Sequence, residues 1–222
     1  MDHGTWKVYS TLNRRRDWHS AVTTQTATFI FGGRYSRTTY EYLPKDSTKW
    51  LMGRTGIPGG FDRGFAIAFK SGQEIWLIGG AKTKRRILRF NVESHTFQVL
   101  PFQLNEGRWG HKCAFIPNTN KIMITGGYGY GVLDSTEVLD TEDGNVTMAS
   151  PMKFKRDNHG MGVVTINGEN KLAVFGGHDG RNELDSVELY NTHTEKWEMA
   201  DFKLREAESG LSFLTVSLGD II

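Results

Sequence analysis

The sequence predicts an all-β fold of repeated four-stranded antiparallel sheets, arranged as the blades of a β-propeller. Three recurring features predict it. Short apolar runs end in paired glycines at Gly32-Gly33, Gly79-Gly80, Gly126-Gly127 and Gly176-Gly177, so the first glycines stand 47, 47 and 50 residues apart. A near-constant period of this size marks a repeat architecture. After each pair, an apolar residue, a polar turn and a second apolar residue follow at a separation of seven or eight: Tyr42 with Trp50, Phe90 with Phe97, Leu139 with Val146 and Tyr190 with Trp197. Before the pairs, Arg-x-x-His recurs at Arg16–His19, Arg108–His111 and Arg156–His159.

The chain of 222 residues divides into repeats at about 16–53, 54–101, 102–152 and 153–200, within one domain spanning 1–222. In the fourth repeat, strands are expected over 161–166, 171–175, 186–190 and 196–199. None is long enough, or periodic enough at 3.6 residues, to be a helix. The segment Asn167-Gly168-Glu169-Asn170 suits a hairpin turn. Each glycine pair is read as a close backbone approach with unusual φ values near a crowded centre. It is not read as a phosphate cradle, because no helix follows it. Trp50 and Trp197 are read as wedges in the core between blades.

The second repeat departs from the pattern, with Gly60 and Arg63 at the Arg and His places; the C-terminal stretch departs too, with Glu206 and Ser209. Partial blade strands are expected over 1–15 and 201–222. Trp6 stands ten residues before Arg16, as Val146 stands ten before Arg156, which places it on the last strand of a blade. Residues 211–216 read as a first strand, and 219–222 as the start of a second. The ends either share a fifth blade or belong to a longer propeller, and the second reading is preferred.

Composition excludes several classes. There are 27 basic and 25 acidic residues, a formal net charge of +2. That balance gives no reason for nucleic acid or an anionic membrane as partner. No apolar run approaches the ~20 residues of a membrane helix. Cys113 is the one cysteine, which forbids an internal disulfide and favours a reducing, cytoplasmic setting. It lies in a strand run, where burial as a small apolar residue is expected.

Taken together, the Arg-x-x-His, the strand ending in Gly-Gly and the later aromatic pair resemble the kelch repeat, over nearly the whole chain. The resemblance implies a propeller whose recurring Arg and His orient loops by hydrogen bonds. It also implies a protein-interaction module, either a substrate adaptor for a ubiquitin ligase or a cytoskeletal scaffold. In relatives that recruit substrates, corresponding loop arginines contact acidic peptides. The alternative is a sugar-acting propeller enzyme of oxidase or mutarotase type. However, no Gly-x-Ser-x-Gly elbow or His-Glu-x-x-His pair occurs, so no catalytic residue, cofactor or metal is assigned.

Propeller loops cluster on a rigid scaffold and carry function. Two loop sets are expected at one end, after each Gly-Gly and around each Arg-x-x-His. They are rich in Tyr, Trp and Arg, the residue types of binding hot spots. The expected partner-binding residues are Arg16, Arg34, Tyr35, Arg63, Lys82, Arg108, Trp109, Tyr128, Tyr130, Arg156, Asn158, His178 and Arg181. Their basic bias points to a protein partner with an acidic peptide segment.

Overall fold

A computed structural model describes residues 8–211. It is all-β among the described residues, with four antiparallel four-stranded sheets that are the blades of a β-propeller. Blade 1 comprises β1 (Ser20–Thr23), β2 (Ala27–Phe31), β3 (Tyr40–Pro44) and β4 (Leu51–Met52). Blade 2 comprises β5 (Phe65–Ala68), β6 (Glu74–Ile78), β7 (Arg86–Asn91) and β8 (Thr96–Gln103). Blade 3 comprises β9 (Lys112–Phe115), β10 (Lys121–Thr125), β11 (Thr136–Asp140) and β12 (Val146–Ala149). Blade 4 comprises β13 (Gly160–Ile166), β14 (Glu169–Phe175), β15 (Ser186–Asn191) and β16 (Lys196–Lys203). Each blade is a meander whose strands pair in sequence order. The hairpin joining β13 to β14 turns at Asn167 and Gly168, both at positive φ (53° and 81°), with Ile166 opposite Glu169. Positive φ at both central residues matches strand twist in a two-residue turn.

The described residues group into two compact units. The first holds blade 1 and most of blade 2; the second holds residues 84–87 and the chain from 101, with blades 3 and 4. In the first unit, Phe29, Phe31 and Tyr40 pack with Phe61, Leu77, Leu88 and Phe90 in one buried cluster. Phe31 and Phe90 meet edge to face at 5.2 Å, a favoured ring geometry. In the second unit, Met123 and Met152 pack with Leu172, Val174, Tyr190 and Trp197. Fully burying one such side chain stabilises by ~1.5–3 kcal/mol.

Trp197 is 1% exposed and forms part of that core. Trp50 does not match it. It precedes β4 and is half-buried, and β3 pairs Tyr42 with Leu51 instead. Tyr42 and its partner Leu51 stand nine residues apart, against seven for Tyr190 and Trp197, so the turn of blade 1 is longer. The Trp6 expectation and those for 212–216 and 219–222 lie outside the described residues.

All eight glycines of the four pairs have positive φ, between 56° and 110°. A Cβ on Gly32 would stand 1.8 Å from the Phe61 carbonyl oxygen of the next blade, and one on Gly126 would stand 2.3 Å from that of Arg156. The N–H groups of Gly33 and Gly127 donate to those carbonyls, at 2.9 and 2.7 Å. Gly32-Gly33 and Gly126-Gly127 are therefore where backbones of neighbouring blades touch.

Candidate functional site

The glycine pairs fix the loops beside them. The N–H after each pair donates back to its own blade: Arg34 to the Asp17 carbonyl, Ala81 to Asp62, Tyr128 to Trp109 and His178 to Asp157, at 2.7–3.0 Å. Each blade thus brings its post-glycine loop onto the tetrad that precedes its first strand. The two expected loop sets meet in every blade.

This geometry also sets the tetrad register. Blade 1 has Arg16-Asp17-Trp18-His19, blade 3 Arg108-Trp109-Gly110-His111 and blade 4 Arg156-Asp157-Asn158-His159. Blade 2 contributes Phe61-Asp62-Arg63-Gly64, because Gly80 lies against Asp62 as Gly33 lies against Asp17. The segment Glu208-Ser209-Gly210-Leu211 follows blade 4, with Gly177 N–H donating to the Glu208 carbonyl at 2.7 Å. The third position has positive φ in all five: 55° at Trp18, 56° at Arg63, 65° at Gly110, 51° at Asn158 and 72° at Gly210. Counting by Arg-x-x-His had put Gly60 and Arg63, and Glu206 and Ser209, at the Arg and His places. The true occupants are Phe61 and Gly64, and Glu208 and Leu211.

Three of the expected contact residues are interior. The side chains of Arg16, Arg108 and Arg156 have no solvent exposure, and each pairs with an equally buried glutamate: Glu41 at 3.0 Å, Glu137 at 2.8 Å and Glu188 at 3.0 Å. Each arginine also donates to the carbonyl of its blade's first paired glycine: Arg16 to Gly32 at 2.6 Å, Arg108 to Gly126 and Arg156 to Gly176 at 2.7 Å. Each carboxylate accepts two backbone N–H groups as well: Asn13 and Arg14 on Glu41, Asn105 and Glu106 on Glu137, Lys153 and Phe154 on Glu188. The reason for this correction is the glutamate. A guanidinium would not be buried alone, but a carboxylate from the third strand makes burial tolerable. Its signal in sequence is a glutamate at the second or third place of the third strand, at Glu41, Glu137 and Glu188.

The histidines separate too. His111 and His159 are buried, whereas His19 is exposed. His159 Nε2 lies 2.8 Å from Thr125 Oγ1 of blade 3. Burial, reinforced by Lys112 and Arg156, holds its imidazole well below the ordinary value of 6.5. The folded protein therefore keeps His159 neutral, while the unfolded chain takes up a proton below about pH 6.5. Stability is complete above that pH and falls as pH drops toward the folded value. Partial burial lowers His95 as well, which adds in the same direction. Thermal melts should show Tm constant at pH 7–8 and falling from pH 6.5 to 5, with a shallower fall in His159→Gln. An equal fall in the variant would exclude His159 as a source. Cys113 is 3% exposed, and burial pushes its thiol far up, so it is an inert apolar filler. Among the described residues, no three His, Cys, Asp or Glu side chains group as metal ligands would, and no helix is long and apolar enough to cross a membrane.

The remaining expected residues lie at the surface. Arg34, Tyr35, Lys82, Tyr128, Tyr130 and Arg181 are exposed, while Arg63, Trp109, Asn158 and His178 are partly buried. In the first unit they form one aromatic and basic cluster. Arg63 of blade 2 lies over Trp18 of blade 1 at 4.8 Å, and Arg15 and Arg34 lie over Tyr35 at 5.5 and 5.7 Å. Trp18 and Tyr35 remain 43% and 59% exposed. Arg15 is not among the expected partner-binding residues; the tyrosine beneath it gives its place. In the second unit, Trp109 and Tyr128 stack at 5.0 Å with 28° between planes, and Tyr130 is fully exposed.

Comparison with protein-family profiles matches residues 158–200 to the Kelch motif. No curated protein matches the chain. The matched segment is blade 4 with the last two residues of its tetrad. With that motif on blade 4 and the same clamp or glycine geometry in blades 1 to 3, the chain is similar to kelch-repeat β-propellers.

Proposed function

We propose that this protein is a cytoplasmic interaction module that holds a partner protein on its loops, as a substrate adaptor or a scaffold. Kelch-type propellers commonly serve protein interaction. The observation that carries the reading here is the cluster of Arg15, Trp18, Arg34, Tyr35 and the partly buried Arg63, held by the Arg34 N–H on the Asp17 carbonyl and the Arg63 N–H on the Trp18 carbonyl. Rigid aromatic anchors with arginines lose little entropy on binding, which is the chemistry of hot spots. Arg15 and Arg34 share the Tyr35 ring, and Arg34 lies 4.0 Å from Asp17 in an exposed pair. The basic side of this cluster suits an acidic segment of the partner.

The full chain should therefore capture acidic peptides from an array in preference to the same peptides with Asp and Glu replaced by Asn and Gln. Raising salt from 0.05 to 0.5 M, about a threefold contraction of the screening length, should weaken that capture. Equal capture of both peptide sets would remove the acidic partner from the reading. A proteomic pull-down with the wild-type chain, compared with Tyr35→Ala/Arg63→Ala, then identifies the adaptor or scaffold partner.

A further inference from the structure

The second tetrad position is aspartate in three blades, as Asp17, Asp62 and Asp157, and the three differ in their countercharge. Asp62 is paired with Arg37 at 2.9 Å, and Asp17 faces Arg34 at 4.0 Å. Both arginines come from the post-glycine loop of blade 1. Asp157 has no arginine or lysine beside it, although Arg181 lies in its own post-glycine loop. Its nearest titratable neighbour is His178, with Nδ1 4.0 Å from Oδ1. That nitrogen accepts the Gly180 N–H at 3.1 Å and makes no hydrogen bond to the carboxylate. Asp157 is 7% exposed, and its Oδ1, like Oδ1 of Asp17 and Asp62, has no hydrogen-bond partner, so the lack of a guanidinium is what sets it apart. Oδ2 receives the Asn158 amide at 3.2 Å. A buried carboxylate oxygen without a donor is a costly arrangement, and burial accordingly pushes this carboxyl up.

The aromatic residues of the second unit repeat the contrast. In the first unit the exposed rings Trp18 and Tyr35 are each covered by an arginine of the same chain. Tyr128 and Tyr130, exposed on the post-glycine loop of blade 3, have no described arginine over them. They adjoin the Asp157 loop, because Asn158 N–H donates to the Gly110 carbonyl at 2.8 Å and Gly180 lies against Val132. Carboxylate and rings together are the elements of a guanidinium site: a charge-assisted acceptor beside π faces.

From this we infer that the loops of blades 3 and 4 receive an arginine side chain of the partner, which stacks on Tyr128 and Tyr130 and gives Asp157 the countercharge that Asp17 and Asp62 find within the chain. The His178 ring lies over Oδ1 and turns aside as the guanidinium enters. The inference deepens the proposed interaction role and rests on it. It also adds a second, oppositely charged contact to the acidic one.

The probe is N-acetyl-arginine amide, with N-acetyl-citrulline amide as the neutral isostere, titrated into the full chain and followed by NMR. The arginine probe should shift the ring signals of Tyr128 and Tyr130 and lower the apparent pKa of Asp157, while citrulline moves neither. Asp157→Asn should bind arginine at least about tenfold more weakly. Tyr130→Ala, a surface change that leaves folding intact, should weaken it as well. Equal shifts with citrulline, arginine binding unchanged in Asp157→Asn and Tyr130→Ala, or no shift with arginine at all would each overturn the inference. None of these outcomes touches acidic-peptide capture by the first unit, so failure here and failure of the broader reading are separately visible.

Discussion

Replacing Arg156 by methionine is expected to lower the unfolding free energy by about 3–5 kcal/mol, the cost of leaving one partner of a buried ion pair uncompensated. Glu188 would keep the Lys153 and Phe154 N–H groups at 2.6 and 3.1 Å but lose its cation. The carbonyls of Gly176 and Ser186, bonded to Arg156 at 2.7 and 3.0 Å, would lose a donor. Blade 2 shows how the repeat avoids this penalty. Phe61 stands in place of the arginine, Leu88 stands two residues before Phe90 as Glu188 stands two before Tyr190, and Pro58, which has no N–H, stands in place of Lys153. The guanidinium, the carboxylate and one of its backbone donors are all absent together, and Phe61 and Leu88 are about 1% exposed. The double change Arg156→Met/Glu188→Leu should therefore recover part of the loss, and adding Lys153→Pro should recover more. Chemical denaturation of the three variants checks the series. A double variant less stable than Arg156→Met alone would contradict it.

Gly32→Ala should have an effect of similar size for a different reason. Gly32 has φ of 63° and no room for a Cβ, the nearest atom being the Phe61 carbonyl oxygen at 1.8 Å. The left-handed backbone alone costs a non-glycine residue about 1–2 kcal/mol, and overpacking adds about 1–3 kcal/mol. Against a typical total of about 5–15 kcal/mol, the variant should be poorly folded or melt far below wild type. Gly168→Ala is the control. Its φ of 81° is also positive, but no atom lies within 4 Å of an added Cβ, so only the conformational cost applies. Equal melting of the two variants would mean that blade contact at Gly32 contributes nothing.

Much of the fold was legible because it depends on local signals. The glycine pairs announce both the period and the backbone geometry, since only glycine serves where φ is positive and a neighbouring carbonyl stands within 3 Å. The short apolar runs gave the strands. Two kinds of position were not legible. The first were registers set across blades: Phe61 and Gly64 hold the tetrad places in blade 2 because the Gly33 N–H donates to the Phe61 carbonyl and the Ala81 N–H to the Asp62 carbonyl, which Arg-x-x-His spacing does not encode. The second was burial of charge. Arg108 and Arg156 read as loop arginines because their partners, Glu137 and Glu188, arrive 29 and 32 residues later on another strand. The surface arginines Arg34 and Arg63 look no different in sequence. What separates them is position: Arg34 is exposed beside Tyr35, and Arg63 lies over the exposed ring of Trp18.

That separation is the centre of the account: the tetrad arginines build the blades, and the rim arginines with their aromatics meet the partner. Measuring Tm and acidic-peptide binding together, for Arg156→Met and for Arg34→Glu/Arg63→Glu, tests it directly. The first variant should melt markedly lower and, where still folded, bind as wild type does. The second should keep its Tm within a few degrees and lose binding by at least about tenfold. The reverse pattern, Arg156→Met with unchanged Tm and lost binding, would contradict it.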